Sequence, residues 1–225
     1  MWPYWLMFMF PAAVAFMQPS RPWSLKPPNG PLRVGAAWTL LAVIASLLIG
    51  LRHEVGGDWH NYLEHLLSVS GLTLEEAVFR SEPGYWLVVW AVADLDQGVY
   101  VANLIFAVIF SWGLAAFCRA QPRPWLALAI AVPYLVIVLG MGYTRQGVAL
   151  SLALIGLVAL SKMKTWQFIF WVALAATFPR SAVALLPLGI ISTPRNRFWV
   201  TLWLATAAFA LYDVVLRDPI ENMQQ

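Results

Sequence analysis

From Val34 to Leu51 the sequence carries no charged residue and no proline. About 20 apolar residues in a helix span the hydrocarbon core of a bilayer, so this run is of membrane-crossing length. Comparable runs return at 99–118, 125–141 and 143–161, with shorter ones at 2–17, 165–178, 181–192 and 198–214. In lipid every backbone N–H and C=O must find a partner within the protein, and these runs do not alternate apolar with polar residues as barrel strands do. Charged residues make up 11% of the chain, against about 25% in soluble domains, too few to clothe a water-soluble surface. The expected fold is therefore all-α, a polytopic helical membrane protein of about eight spans. It is read as one integral membrane domain over residues 1–225.

The loops supply the topology. Residues 18–33 combine Arg21, Lys26 and Arg33 with Pro19, Pro22, Pro27, Pro28 and Pro31, and short basic loops stay cytoplasmic. Residues 52–83 then fall on the outer side. Trp59, Tyr62, Leu63, Leu66 and Leu67 form one stripe of an amphipathic helix, with His60, Asn61, Glu64, His65 and Ser68 on the other face. Asp58 is placed as its N-cap and Gly71 as its end. Thr73-Leu-Glu-Glu76 is a capping box opening a second short helix. Ser81-Glu82-Pro83-Gly84 opens a third, with proline in the first turn. Its apolar run, Tyr85 to Ala93, is too short to cross, so 83–96 is expected to be re-entrant or interfacial, within an outer segment over 52–97. On that count Arg119/Arg123, Lys162/Lys164 and Arg195/Arg197 share the cytoplasmic side with the 18–33 loop, and both termini lie outside. Trp23, Trp125, Trp166 and Trp199 sit at span ends, where aromatic belts form.

Three arginines break the charge bias, since Arg52, Arg145 and Arg180 all come out on the outer face. Ionisable groups at membrane depth cost roughly 2.5–3.5 kcal/mol and mark pathways or sites. A guanidinium holds phosphate oxygens in a two-pronged grip and keeps its proton. Glu54, Asp58 and Glu82 join them, and a carboxylate beside such a cluster can act as a base or orient a hydroxyl. Each has a plainer reading. Arg52 could snorkel from a span end, Asp58 could serve only as a cap, and Glu82 could only favour a helix start. Arg145, after a tight turn at Gly140-Met141-Gly142 and at the head of an otherwise apolar span, resists such a reading. His53, His60 and His65 are read as interfacial polar residues. Their spacing and the single cysteine, Cys118, point to no metal site.

The motifs Arg52-x-x-Val55-Gly56-Gly57-Asp58-x-x-x-Tyr62, Glu82-Pro83-Gly84-Tyr85, Gly142-Tyr143-x-Arg145-Gln146-x-x-Ala149 and Phe178-Pro179-Arg180-Ser181-Ala182 occur in order over about 34–190. With them the chain resembles the EpsG/Wzy-like family of bacterial polysaccharide polymerases. The resemblance implies joining of oligosaccharide repeat units carried on undecaprenyl diphosphate, at the outer face of the inner membrane, to make exopolysaccharide or O-antigen. It implies Arg145 and Arg180 as diphosphate-binding residues, with Arg52 third, and Asp58, then Glu82, for acceptor orientation or base chemistry. Tyr62, Tyr143 and Gln146 fall in the same motifs as substrate-binding candidates. No cofactor and no nucleic-acid partner is expected; membrane lipids and other assembly or export proteins are. Two departures stand out. The family usually has a histidine where this chain has Pro179. Its members are also usually longer, so 193–225 is expected to be a last span and polar tail of a short homologue, a truncated product or part of a longer polypeptide. A non-catalytic or transporter-like subunit of polysaccharide export, and a related lipid-linked glycan ligase, are the rival readings.

Overall fold

The computed structural model describes residues 2–17, 35–186, 188 and 202. Among them the chain is helical throughout, with no strand. The helices are α1 Trp2–Met17, α2 Ala36–Gly50, α3 Trp59–Val69, α4 Leu74–Val78, α5 Pro83–Val92, α6 Gly98–Ala120, α7 Pro124–Ala131, α8 Thr144–Ser161 and α9 Thr165–Ala176, followed by a 3-10 turn Arg180–Leu185. Alpha-helix gives way to a π-helical stretch over Val132–Gly140. Pro133 supplies the cause, because it has no N–H to give to the preceding turn and its ring crowds that turn's carbonyl.

Two helices, α6 and α8, are long and apolar enough to cross a membrane. The apolar helices 4–17, 36–50, 124–140 and 165–176 are shorter. The expected span over 181–192 opens as a 3-10 turn to Leu185 and its end lies outside the described residues, as does the span over 198–214 apart from Leu202. At about 1.5 Å rise per residue, α5 is roughly 15 Å long, half a hydrocarbon core. It begins at Pro83 in the first turn, as the sequence implies.

Helix α6 is the axis of the fold, packed on α2 along one side and on α8 along another. Its two faces feed two apolar clusters. One gathers Trp59, Tyr62, Tyr85, Trp86, Phe106, Leu152 and Phe178; the other gathers Ile49, Phe110, Leu114, Cys118, Leu128, Val132 and Met141. At Gly113 the α6 backbone lies against Ser151 of α8, where a Cβ would stand 2.8 Å from the serine Cβ. Small residues at such crossings let membrane helices approach closely.

The expected stripe of α3 is corrected by the structure. Trp59, Tyr62 and Val69 are buried, but Leu63 and Leu67 face outward, Leu67 with 79% exposure. His65, assigned to the polar face, turns inward instead. The core-facing line is 59, 62, 65/66 and 69, and the two leucines are left on the outside. The capping box of α4 forms as expected, with Thr73 Oγ1 accepting from the Glu76 N–H and the Glu76 carboxylate accepting from the Thr73 N–H. The expected tight turn at 140–142 is absent. Met141 and Gly142 continue the helical course, and Tyr143 alone breaks it before α8.

The joins at 51–58, 141–143 and 177–179 come together at one end of the bundle. Gly56 (φ +107°) lies so close to the α7–α8 join that a Cβ there would sit 2.5 Å from the Met141 carbonyl oxygen. The Gly84 N–H donates to the Thr177 carbonyl at 2.8 Å. Arg119, Arg123, Lys162 and Lys164 mark the opposite ends of the same helices. A left-handed backbone costs an L-residue roughly 1–2 kcal/mol. Gly71 has φ +80° and open space around it, so Gly71→Ala should lower the unfolding free energy by about that strain alone. Gly56→Ala should cost distinctly more, since it adds the overlap with Met141. Thermal unfolding of both variants in detergent micelles tests the ordering.

Candidate functional site

Helix α3 leans on the head of α8 through one phenol. The Tyr62 hydroxyl accepts the Thr144 backbone N–H at 3.0 Å and donates to Asp58 Oδ2 at 3.5 Å. The first N–H groups of a helix have no partner within it, so Tyr62 takes over one of the unpaired donors of α8. Burial, opposed by the Thr144 hydrogen bond, pushes the Tyr62 phenol up and keeps it protonated. Asp58 does occupy the N-cap position of α3, but its side chain accepts no cap hydrogen bond. Its carboxylate accepts from Asn61 Nδ2 at 3.2 Å and from Tyr62 instead. The expected capping role is therefore not the one Asp58 fills.

Arg145, on the first turn of α8, reaches across to α5. Its Nη1 lies 3.1 Å from Glu82 Oε2, both side chains being mostly shielded. Its guanidinium also sits 5.1 Å from the centre of the Tyr85 ring. Glu82 ends the turn that Pro83 and Gly84 pin to α9: a Cβ at Gly84 would overlap Thr177 Oγ1. The same turn receives a second arginine, for Arg180 Nε donates to the Ser81 carbonyl at 3.1 Å. Arg145 and Arg180, far apart in the chain, are thus held on consecutive residues.

Arg52 is placed differently. It is 6% exposed, its Nη1 donates to Ile49 O at 2.8 Å and its Nε to Val55 O at 3.0 Å. It closes the end of α2 and braces the loop that carries Asp58. Tyr143 is 40% exposed and its hydroxyl lies beside Gly57, while Gln146, next to Arg145 on the first turn of α8, is exposed. Thr144 Oγ1 is buried with no hydrogen-bond partner among the described residues.

Two residues of this corner escape the sequence reading. Tyr85 is 1% exposed and its hydroxyl is 2.8 Å from His65 Nδ1. The imidazole packs against Trp86 as well, ring centres 4.9 Å apart. A helical spacing could have found His65, since positions 58, 62, 65 and 69 lie on one face. His53 and His60 stand elsewhere. His53 is exposed, bonded to the Tyr100 hydroxyl at 2.6 Å and near Glu54, and His60 is exposed. Among the described residues no group of acidic, histidine or cysteine side chains could hold a metal.

The corner is built from the same four motif segments that the sequence singles out. The model of the EpsG family matches residues 35–218. The chain belongs to the EpsG family. No curated protein and no solved structure matches it. Membership in EpsG points to a role in polysaccharide biosynthesis, and the family is one of membrane proteins. The EpsG match spans every segment of the corner, from the α2–α3 loop to the 3-10 turn after Pro179.

Tyr62→Phe removes the acceptor of a buried backbone N–H and one donor to Asp58. An unsatisfied buried donor costs about 1–3 kcal/mol, so this variant should lose stability in that range. Tyr143→Phe, whose hydroxyl has no such duty, should lose little. Chemical unfolding in mixed micelles distinguishes the two.

Proposed function

We propose that this chain polymerises oligosaccharide repeat units carried on a lipid diphosphate, undecaprenyl diphosphate in bacteria, at the outer face of the inner membrane. The single observation that carries the reading is the pairing of Arg145 and Arg180 on Ser81–Glu82, with Asp58 linked to the head of α8 through Tyr62. Two fixed cations beside carboxylates, at the rim of an apolar bundle, suit an anionic headgroup on a lipid tail. Fixed guanidiniums are matched to the charge that builds on a departing diphosphate.

The same reading assigns the topology. Helices α6 and α8 cross the bilayer by length alone. Helix α1, helix α2, the stretch 124–140 and α9 cross as shorter spans and α5 dips without crossing; the last two of the eight expected spans run into residues outside the described ones. With Arg119, Arg123, Lys162 and Lys164 on the cytoplasmic side, the corner holding Arg145 faces outward.

In the reaction a sugar hydroxyl of the incoming unit attacks the anomeric carbon of the growing chain. The bond from that carbon to the diphosphate oxygen breaks, and the lipid diphosphate leaves with the electron pair. Arg145 and Arg180 hold the diphosphate. Glu82 keeps Arg145 aimed while the site is empty, and Asp58 orients the acceptor hydroxyl. Gln146 and Tyr143 line the approach to α8, and Tyr62 and Arg52 hold Asp58 in place.

Losing one preorganised charge partner of a transition state costs about 10²–10³ in rate. Arg145→Ala should therefore abolish long polymer in a deletion strain, with single lipid-linked repeats accumulating and the protein level unchanged. Full-length polysaccharide from that variant would remove Arg145 from the mechanism. Unaltered polymer in the deletion strain itself would remove the polymerase assignment.

A further inference from the structure

We propose that His65 is the group that takes the proton from the attacking hydroxyl. This inference rests on the polymerase reading above and names the base that reading needs. The acceptor oxygen forms its new bond to the anomeric carbon, its proton passes to His65 Nε2, and the carbon–oxygen bond to the diphosphate breaks. The imidazolium then returns the proton to the departing diphosphate or to water, leaving the base neutral for the next unit.

Geometry selects His65 from the candidates at the corner. The Glu82 carboxylate is already engaged by Arg145 at 3.1 Å. Asp58 accepts from both Asn61 and Tyr62, so its oxygens already face protein donors. The phenols of Tyr62 and Tyr85 are committed to backbone and imidazole partners. His65 has one nitrogen, Nδ1, on the Tyr85 hydroxyl at 2.8 Å. In the tautomer with the proton on Nδ1 it donates to the phenol oxygen, and the Nε2 lone pair is left to act. The contact with Tyr85 fixes the aim of the ring, and the tautomer protonated on Nδ1 is the one that acts as base.

Tyr85 also fixes the distance between base and cation. One end of its ring system carries the hydroxyl bonded to His65, and its face carries the Arg145 guanidinium. The base and the diphosphate-binding arginine are therefore one phenol apart, with Trp86 packed against the imidazole. A proton acceptor and a leaving-group cation need that separation, because the attacking hydroxyl and the departing oxygen sit on the same carbon.

The electrostatic surroundings favour the neutral imidazole. Burial lowers the affinity of His65 for a proton, Arg145 and Arg80 lower it further, and Asp58 and Glu64 pull the other way. Tyr85 faces it as a neutral phenol. An imidazole that ordinarily titrates near pH 6.5 is then unprotonated, and ready as a base, at neutral pH.

The test uses the full chain reconstituted in lipid vesicles with lipid-linked repeat units from the host, turnover being followed across about pH 5 to 8.5. Wild type should lose rate on the acid side of about pH 6.5. His65→Gln should turn over at least about 10²-fold more slowly and lack that acid limb. Its KM for the lipid-linked unit should stay within about twofold. Added imidazole should restore part of the rate to His65→Ala, a response that a merely structural histidine would not produce. His65→Gln polymerising at the wild-type rate, or slowly with the acid limb intact, overturns the base and leaves the polymerase reading standing. Wild-type protein that extends no lipid-linked unit overturns that reading and the base with it.

Discussion

One hydroxyl joins two parts of this protein that obey different rules. The bundle of α2, α6, α8 and α9 is held by apolar packing at close helix crossings, and its backbone is satisfied helix by helix. The outer segment from 52 to 97 is short helices and turns, which need partners of another kind. Tyr62 supplies the link by taking the first N–H of α8 into the core of the outer segment. Without it, α3 would rest on the bundle through packing alone, and the head of α8 would carry a buried donor with nothing to bind. Asp58 and His65, one turn either side of Tyr62, are placed by the same contact.

The polar corner that results is economical in its use of backbone. The α2–α3 loop is closed from within by Arg52, and Gly56 lets it lie flat on the α7–α8 join. Pro83 starts α5 and Gly84 lets its first turn touch α9. Each constraint is local, a brace, a left-handed residue or a close approach, and each delivers a charged or aromatic side chain to the same place. The π-helical stretch before Gly140 belongs to this set. It carries the chain from Val132 to Gly140 and so into the join just ahead of Arg145.

Much of this was legible in the chain beforehand, and the reasons differ by element. The long helices α6 and α8 announce themselves by predominantly apolar runs of spanning length, and the capping box at Thr73 by residues three apart. The importance of Arg145 follows from its being a charge where the surrounding span offers none. The face of α3 was harder to assign. Its leucines and its aromatic residues both fit a helical stripe, and only contacts with Tyr85 and Thr144 decide which half turns inward. Those contacts come from residues twenty and more than eighty positions away, so periodicity offers both a stripe with Leu67 and one with His65, and only the contacts choose the second. Asp58 misled in the opposite way. It stands where a cap should stand, and its carboxylate is used by Asn61 and Tyr62 instead.

The turn at Ser81–Glu82 has a mechanical consequence. One arginine grips the carbonyl of the first residue and the other the carboxylate of the second, so a piece of chain two residues long is a yoke for both charges. Any displacement of that piece would carry both guanidiniums with it, and α9 as well through the Gly84–Thr177 hydrogen bond. The two cations are therefore positioned by a single turn of chain, one on a main-chain oxygen and one on a side-chain oxygen.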